Sequence, residues 1–263
     1  FWLVDMAYRA MCQRRRTVYF EAGDMGKVQC KRRFIRRCIG CPAKAGTIRY
    51  PIAINREKGE KYATVSFKDK IFDKVPSEAE AKKIVTETRL KETRSHKSYF
   101  KIKYMPNYHL SAEKIDSEIK TLQDSGWVPD VVVCDYADIL APPTGVKDRR
   151  DQINVSWMQL RGIATAHHCL MITATQADAG SYDCEWLSRG NFSDDKRKNA
   201  HITGMIGLNQ RPVEKQQGVW RIAWTELREG EFVNTHAVHV AGCLALGNPA
   251  VKSTFGKKDE NEE

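Results

Sequence analysis

No stretch of this 263-residue chain is apolar for long enough to cross a bilayer as a helix. The opening Phe1-Trp2-Leu3-Val4-Asp5-Met6 is apolar, but its charges follow it, the reverse of a secretory signal. The eight cysteines are scattered, and Cys134 and Cys169 sit inside apolar runs, where a thiol acts as a small hydrophobe. That excludes a secreted disulfide framework and suits a reducing cytoplasm. No arrangement resembles a serine or cysteine hydrolase triad, and there is no internal repeat or long low-complexity tract. The loop Gly-x-x-x-x-Gly-Lys-Ser/Thr, which cradles phosphates with backbone amides and a lysine, occurs nowhere in the chain. The first residue is Phe1 rather than methionine, so the expectation is a fragment that lacks its true beginning, with a naturally truncated chain as the alternative.

With 41% hydrophobic and 29% charged residues, the chain suits one large α/β domain or two smaller ones. A net charge of +10 favours polyanionic partners, nucleic acid among them. Arg14-Arg15-Arg16, Lys31-Arg32-Arg33 and Arg36-Arg37 crowd the first part, and each cluster alone reads first as a solvated helix face and only second as a DNA contact.

The most informative run is Val131-Val132-Val133-Cys134-Asp135-Tyr136. A short, wholly apolar, β-branched run reads as a strand buried on both faces of a parallel sheet. Open α/β sheets bind ligands outside the carboxyl ends of their strands. An aspartate there either holds Mg²⁺ against nucleotide phosphates or simply caps the turn. A helix follows, with Ile153, Trp157, Leu160 and Ala164 on one face, and then a second apolar strand from His168 to Thr175 that ends in Gln176. A right-handed crossover places Asp135 and Gln176 side by side. An amide there senses a terminal phosphate or orients a water, or is an ordinary strand-end polar residue.

Elsewhere the pattern predicts a helix over 1–12, a strand at Thr17–Phe20 and a basic helix from Gly26 to Arg37. Between about 40 and 98 the periodicity changes and reads as an insertion. It holds a strand at Tyr62–Phe67 and a helix opened by the capping pair Ser77 and Glu80. A strand at Tyr99–Tyr104 and a helix capped by Ser111 lead back to the Asp135 strand. Three strands near the carboxyl end, 202–208, 219–227 and 235–241, predict an antiparallel extension. The main domain is expected to run from 1 to 250, with a flexible charged tail over 251–263. Cys30, Cys38 and Cys41 form C-x₇-C-x₂-C, which is either part of a Zn²⁺ site or a set of incidental thiols. Asp135 and Asp138 also raise the option of a metal-dependent nuclease. Two acids three residues apart after one strand make a poor two-metal site.

The ordered set resembles the RecA-like ATPase domain of DnaB-type replicative helicases, the phage and plasmid relatives above all. Val131 to Tyr136 is similar to that family's Walker B strand, and Thr173-Ala174-Thr175-Gln176 to its strand ending in a sensor glutamine. Glu21-Ala22-Gly23-Asp24-Met25 resembles the segment that carries the catalytic carboxylate before a methionine. Alignment on Met25 makes Asp24 the first candidate and Glu21 the fallback. Leu227-Arg228-Glu229-Gly230 resembles a Lys-x-Arg-x-Gly motif whose arginine reaches a neighbouring subunit's nucleotide, with Glu226 in the lysine's place.

The resemblance implies a wound, mainly parallel sheet with helices on both faces. It implies ATP and Mg²⁺ as cofactors, a homo-oligomeric ring or filament, and single-stranded DNA as partner in a bacterial or phage-infected cell. Arg149, Arg150, Lys196, Arg197 and Lys198 then stand in loops that face DNA. The competing expectation is a RecA-like DNA-binding or helicase-loading module that does not hydrolyse nucleotide.

Overall fold

The computed structural model describes residues 1–57, 60, 62–85, 98–191, 196–233 and 236–257. In chain order the elements are α1 Trp2–Cys12, β1 Thr17–Glu21, α2 Lys27–Ile39, β2 Gly46–Asn55, β3 Thr64–Phe72, α3 Glu78–Ile84, β4 Phe100–Tyr104, α4 Ala112–Asp124, β5 Val131–Asp135, α5 Arg149–Ala166, β6 Leu170–Thr173, β7 Gly204–Asn209, α6 Pro212–Gln217, β8 Val219–Leu227, β9 His236–Cys243 and β10 Asn248–Lys257. The chain divides into two compact units. One comprises 1–39, 76–176 and 192–201, the other 40–75, 177–191 and 202–263.

The first unit is built on a parallel sheet in the order β4-β1-β5-β6. β1 and β5 are central and apolar on both faces, so both faces must be covered. On one face, Tyr19, Val131 and Val133 pack with Leu3, Val4 and Ala7 of α1 and with Cys30 and Phe34 of α2. Phe34 sets its ring edge-on to Tyr19 at 4.8 Å and lies 4.7 Å from Phe100. Alternation sends Val18, Phe20, Val132 and Cys134, all buried, to the other face.

Helix starts follow the local chemistry. Ser77 and Glu80 close a reciprocal capping box on α3. The Ser111 hydroxyl accepts from the Lys114 amide, and Asp148 accepts from the amides of Arg150 and Asp151. In α2 the spacing of Cys30, Phe34 and Cys38 gives one buried stripe on an otherwise basic helix. Arg37 of that helix pairs with buried Asp5 at 2.5 Å, so at least one member of the arginine cluster is spent inside the fold.

The second unit holds an antiparallel sheet, β10-β9-β8-β7, and the two-stranded ribbon β2-β3. Ile54, Ala63 and Val65 of the ribbon segment pack on Val219 and Ala241 of the sheet. Arg221 is buried in an ion pair with Glu214 at 2.8 Å, its guanidinium over the Trp186 ring. The stretch read from sequence as one insertion is divided here, since 40–75 belong to this unit and the chain from Pro76 belongs to the first. β10 continues to Lys257, so the stretch read as a tail supplies a strand, and 258–263 lie outside the described residues. No helix among the described residues is long and apolar enough to cross a membrane.

Candidate functional site

β1 and β5 run parallel and in register, so their last residues, Glu21 and Asp135, are direct neighbours at the carboxyl edge. The strands are tied beyond that point, for the Ala22 amide donates to the Asp135 carbonyl at 3.0 Å. The edge residues of a wound sheet are the ones whose side chains reach a ligand without disrupting the core.

Asp135 is half-buried and accepts a hydrogen bond from the buried Tyr19 hydroxyl. Burial, and then the Asp135 charge, drive the Tyr19 phenol far above its ordinary pKa, so it stays a donor and fixes the carboxylate.

Glu21 is 0% exposed. Its Oε1 accepts from the Met25 amide at 3.2 Å, and its Oε2 has no nitrogen or oxygen partner among the described residues. Burial raises its pKa to about 7. The amides of Met25 and Gly23 oppose that rise, and Asp135 and Asp24 add to it. The Cys30 thiol on the same side is pushed up to about 12, first by burial and then by Glu21 and Asp135. The turn that brings the Met25 amide back to Glu21 needs a glycine. Gly23 has φ +97°, and a Cβ there would stand 2.3 Å from the Asn107 backbone nitrogen.

Asp24 is exposed, three residues beyond the strand end. The acid beside Asp135 is therefore Glu21, and Asp24 acts on the pair only through its charge. A carboxylate on the last residue of the strand is held by the ladder, whereas one in the turn is not.

β6 pairs in parallel with β5, and the Thr173 hydroxyl donates to the Cys134 carbonyl at 2.9 Å. Gln176 follows at the same edge, and its Nε2 donates to the Tyr136 hydroxyl at 3.2 Å. The expected adjacency of the Asp135 and Gln176 strands is present.

A second carboxylate cluster lies just beyond. Asp138, in a 3-10 turn over Ala137–Ile139, is 5% exposed, and Lys198 is 0% exposed. The Lys198 Nζ donates to both Asp138 oxygens at 3.2 Å and to Thr175 Oγ1 at 2.8 Å. Thr175 Oγ1 donates to Asp138 at 2.6 Å, and the Trp157 indole does so at 2.9 Å. Lys198 was expected to contact phosphate, and the structure corrects that. A fully enclosed ammonium already held by a carboxylate has no path to a DNA backbone. The same pairing removes Asp138 from any metal site shared with Asp135.

The other basic candidates are exposed. Arg149 donates to the Asp138 carbonyl at 2.7 Å, Arg197 pairs with Asp151 at 2.8 Å, and Arg150 and Lys196 lie at the surface. Arg228 is exposed after β8 in the second unit, where its amide donates to the Thr203 carbonyl. Glu226, at the position read as a lysine in the resemblance, pairs with Arg189 at 2.5 Å.

The three cysteines do not converge. Cys30 packs among Tyr19 and Phe34, Cys38 packs with Tyr8 and Met11, and Cys41 is only partly buried. Among the described residues no group of three or more His, Cys, Asp or Glu is arranged to hold a metal ion. A C-x₇-C spacing on one helix puts Cys30 and Cys38 into separate core contacts, so these two thiols do not share a metal. A single strand-end carboxylate such as Asp135 remains suited to Mg²⁺, which keeps several waters and takes its other ligands from phosphates.

The fold is a RecA-like α/β fold, and comparison with known proteins agrees. A structure described as the ATPase domain of G40P superposes with a TM-score of 0.62 at 13% identity, covering 98% of this chain and 78% of that one. A DnaB-like replicative helicase, solved in a study of its interactions with primase, superposes at 0.66 and 13% identity, covering 93% of this chain and 52% of that one. No protein-family model matches the chain. Among curated proteins, a tyrosine–tRNA ligase of Chlorobaculum tepidum is 22% identical over 111 residues, 42% of this chain. The chain spans only 27% of that ligase's length.

Proposed function

We propose that this chain is the motor domain of an ATP-dependent DNA helicase or translocase of the DnaB-like type, a phage or plasmid relative that works as a ring or filament. The observation that carries the reading is the Glu21–Asp135 pair, in register at the carboxyl edge of a parallel sheet whose fold is shared with helicase ATPase domains. The donor set fits magnesium and nucleotide. Asp135 offers an oriented carboxylate, and the Oε2 of Glu21, which has no nitrogen or oxygen donor among the described residues, offers a buried acceptor for a water proton. When bound, magnesium and ATP supply a polarised phosphoryl group.

The roles of the side chains follow from their placement. Tyr19 orients Asp135, which would hold the metal. Glu21, with a pKa near 7, takes a proton from an attacking water, because a base poised near the working pH transfers protons most effectively. Gln176, anchored on Tyr136, senses the terminal phosphate. Arg228 acts on a neighbouring subunit's nucleotide. Arg149, Arg150, Lys196 and Arg197 line the path of single-stranded DNA. No Gly-x-x-x-x-Gly-Lys-Ser/Thr cradle stands within these 263 residues.

The test uses a longer parent chain that carries such a cradle. Asp135→Asn and Glu21→Gln each abolish ATP turnover with the far-ultraviolet spectrum unchanged, and Asp24→Asn costs less than about tenfold. An active Asp135→Asn parent overturns the reading. The 263-residue chain alone shows no steady turnover. A second reading, a RecA-like loader or DNA-binding module without hydrolysis, is favoured by one observation, the Glu226–Arg189 pair where a free lysine is expected. It predicts nucleotide binding without turnover even in the longer parent.

A further inference from the structure

The ribbon β2-β3 has no part in the site above, yet its surface is not that of a passive hairpin. The pairing register places Tyr50 across from Lys68, Ile48 across from Lys70 and Gly46 across from Phe72. Side chains two apart share a face, so Tyr50, Phe72, Lys68 and Lys70 stand together on one side. Lys70 lies between two rings, 5.5 Å from the centre of Tyr50 and 5.2 Å from that of Phe72. The single acid inside β3, Asp69, falls on the opposite face across from Arg49. That opposite face also carries Val65, which packs with Ile54 on Val219 and Ala241. The aromatic–lysine face is turned away from that cluster. Its lysines are exposed and its rings half-buried. The ribbon holds three cation–ring contacts, counting Arg49 over Phe67 at 4.2 Å.

We infer that the Tyr50–Phe72–Lys68–Lys70 face of this ribbon is a contact surface for single-stranded nucleic acid. Positive charge unopposed by any acid on that face complements a phosphodiester chain. The rings that flank Lys70 stack on bases, which only an unpaired strand exposes. On binding, Lys70 exchanges its ring contacts for a phosphate and leaves Tyr50 and Phe72 to the bases. An acidic peptide or an anionic membrane satisfies the charges but gives the paired rings nothing planar to stack on. The inference shares with the proposed function a nucleic-acid partner, but it does not depend on ATP turnover.

The test is fluorescence anisotropy of the whole 263-residue chain with a labelled 20-nucleotide oligothymidylate, titrated at several salt concentrations. Tyr50→Leu keeps apolar bulk and weakens binding on the order of tenfold with the salt slope unchanged, as does Phe72→Leu. The surface pair Lys68→Gln/Lys70→Gln, which threatens no core packing, lowers the log–log salt slope by about 1.4. A blunt-ended duplex of the same length binds at least about tenfold more weakly than the single strand. Arg150→Gln/Lys196→Gln, measured in parallel, reports on the DNA-facing loops of the motor reading. Loss there with no change in the ribbon variants overturns this inference and spares that reading, and the converse spares the ribbon. Unchanged affinity and slope in all ribbon variants overturns it. So does a polyglutamate peptide or a phosphatidylserine vesicle whose binding falls in Tyr50→Leu as much as the oligonucleotide's.

Discussion

Two carboxylate clusters lie within a few residues of each other along the first unit, and they are built in opposite ways. Asp138 is enclosed with Lys198, Thr175 and the Trp157 indole, and each of its oxygens has a donor. Glu21 is enclosed as fully, but one oxygen has no nitrogen or oxygen donor among the described residues and its neighbour is another acid, Asp135. The first arrangement has nothing left to offer a ligand. The second carries uncompensated desolvation, a cost that folding alone does not require. Buried acids mark function when their partners are missing, not simply because they are buried.

The largest expected effect comes from unmaking the satisfied cluster. Lys198→Met leaves the Asp138 carboxylate buried without its cation and costs about 3–5 kcal/mol, read by urea or thermal unfolding. Lys198→Met/Asp138→Leu recovers about half of that loss or more, since the penalty lies in the stranded charge. If the single variant unfolds like the parent, the pair is not enclosed.

Next comes the unsatisfied cluster, with the opposite sign. The folded-state pKa of Glu21 is raised, so the folded chain holds the proton more tightly than the unfolded chain. The stabilising contribution is complete below about 4.5 and is lost as pH rises through about 7, leaving a cost of about 3 kcal/mol above that. Glu21→Gln has no proton to lose. It therefore matches the parent near pH 4.5 and exceeds it by about 3 kcal/mol at pH 8, as unfolding midpoints at the two pH values will show. A gain independent of pH breaks the comparison. In a longer, active parent the same substitution abolishes turnover, so stability and activity move in opposite directions.

The smallest effect sharpens the contrast between adjacent residues. Arg197 pairs with Asp151, but both side chains are about half exposed. Arg197→Ala changes stability by less than about 1 kcal/mol, and 0.5 M salt removes most of the difference. Lys198, one position on, is insensitive to salt because no solvent reaches it.

The local readings of the sequence held where local chemistry was decisive. The apolar run before Asp135 is a central strand, the Ser77–Glu80 capping box is closed, and Ser111 caps α4. The parallel β5-β6 neighbours followed from the crossover rule. Other elements carried weaker signals. β2 begins with glycine and holds an internal proline beside a register shift, so strict alternation is broken. α6 has six residues, too few for a helical period, and β10 lies in a stretch whose charge suggested a tail.

Chain order alone settled that a carboxylate follows the central strand, that an amide follows its neighbour and that a segment of changed periodicity interrupts the pattern. Those facts depend on residue type and spacing, which a linear string records in full. Whether Glu21 or Asp24 stands beside Asp135, and whether Lys198 meets water or an acid, depends on strand register and on segments distant in sequence. Burial is a property of the assembled surroundings, and a lysine surrounded by charged neighbours in sequence can still be the most enclosed cation in space.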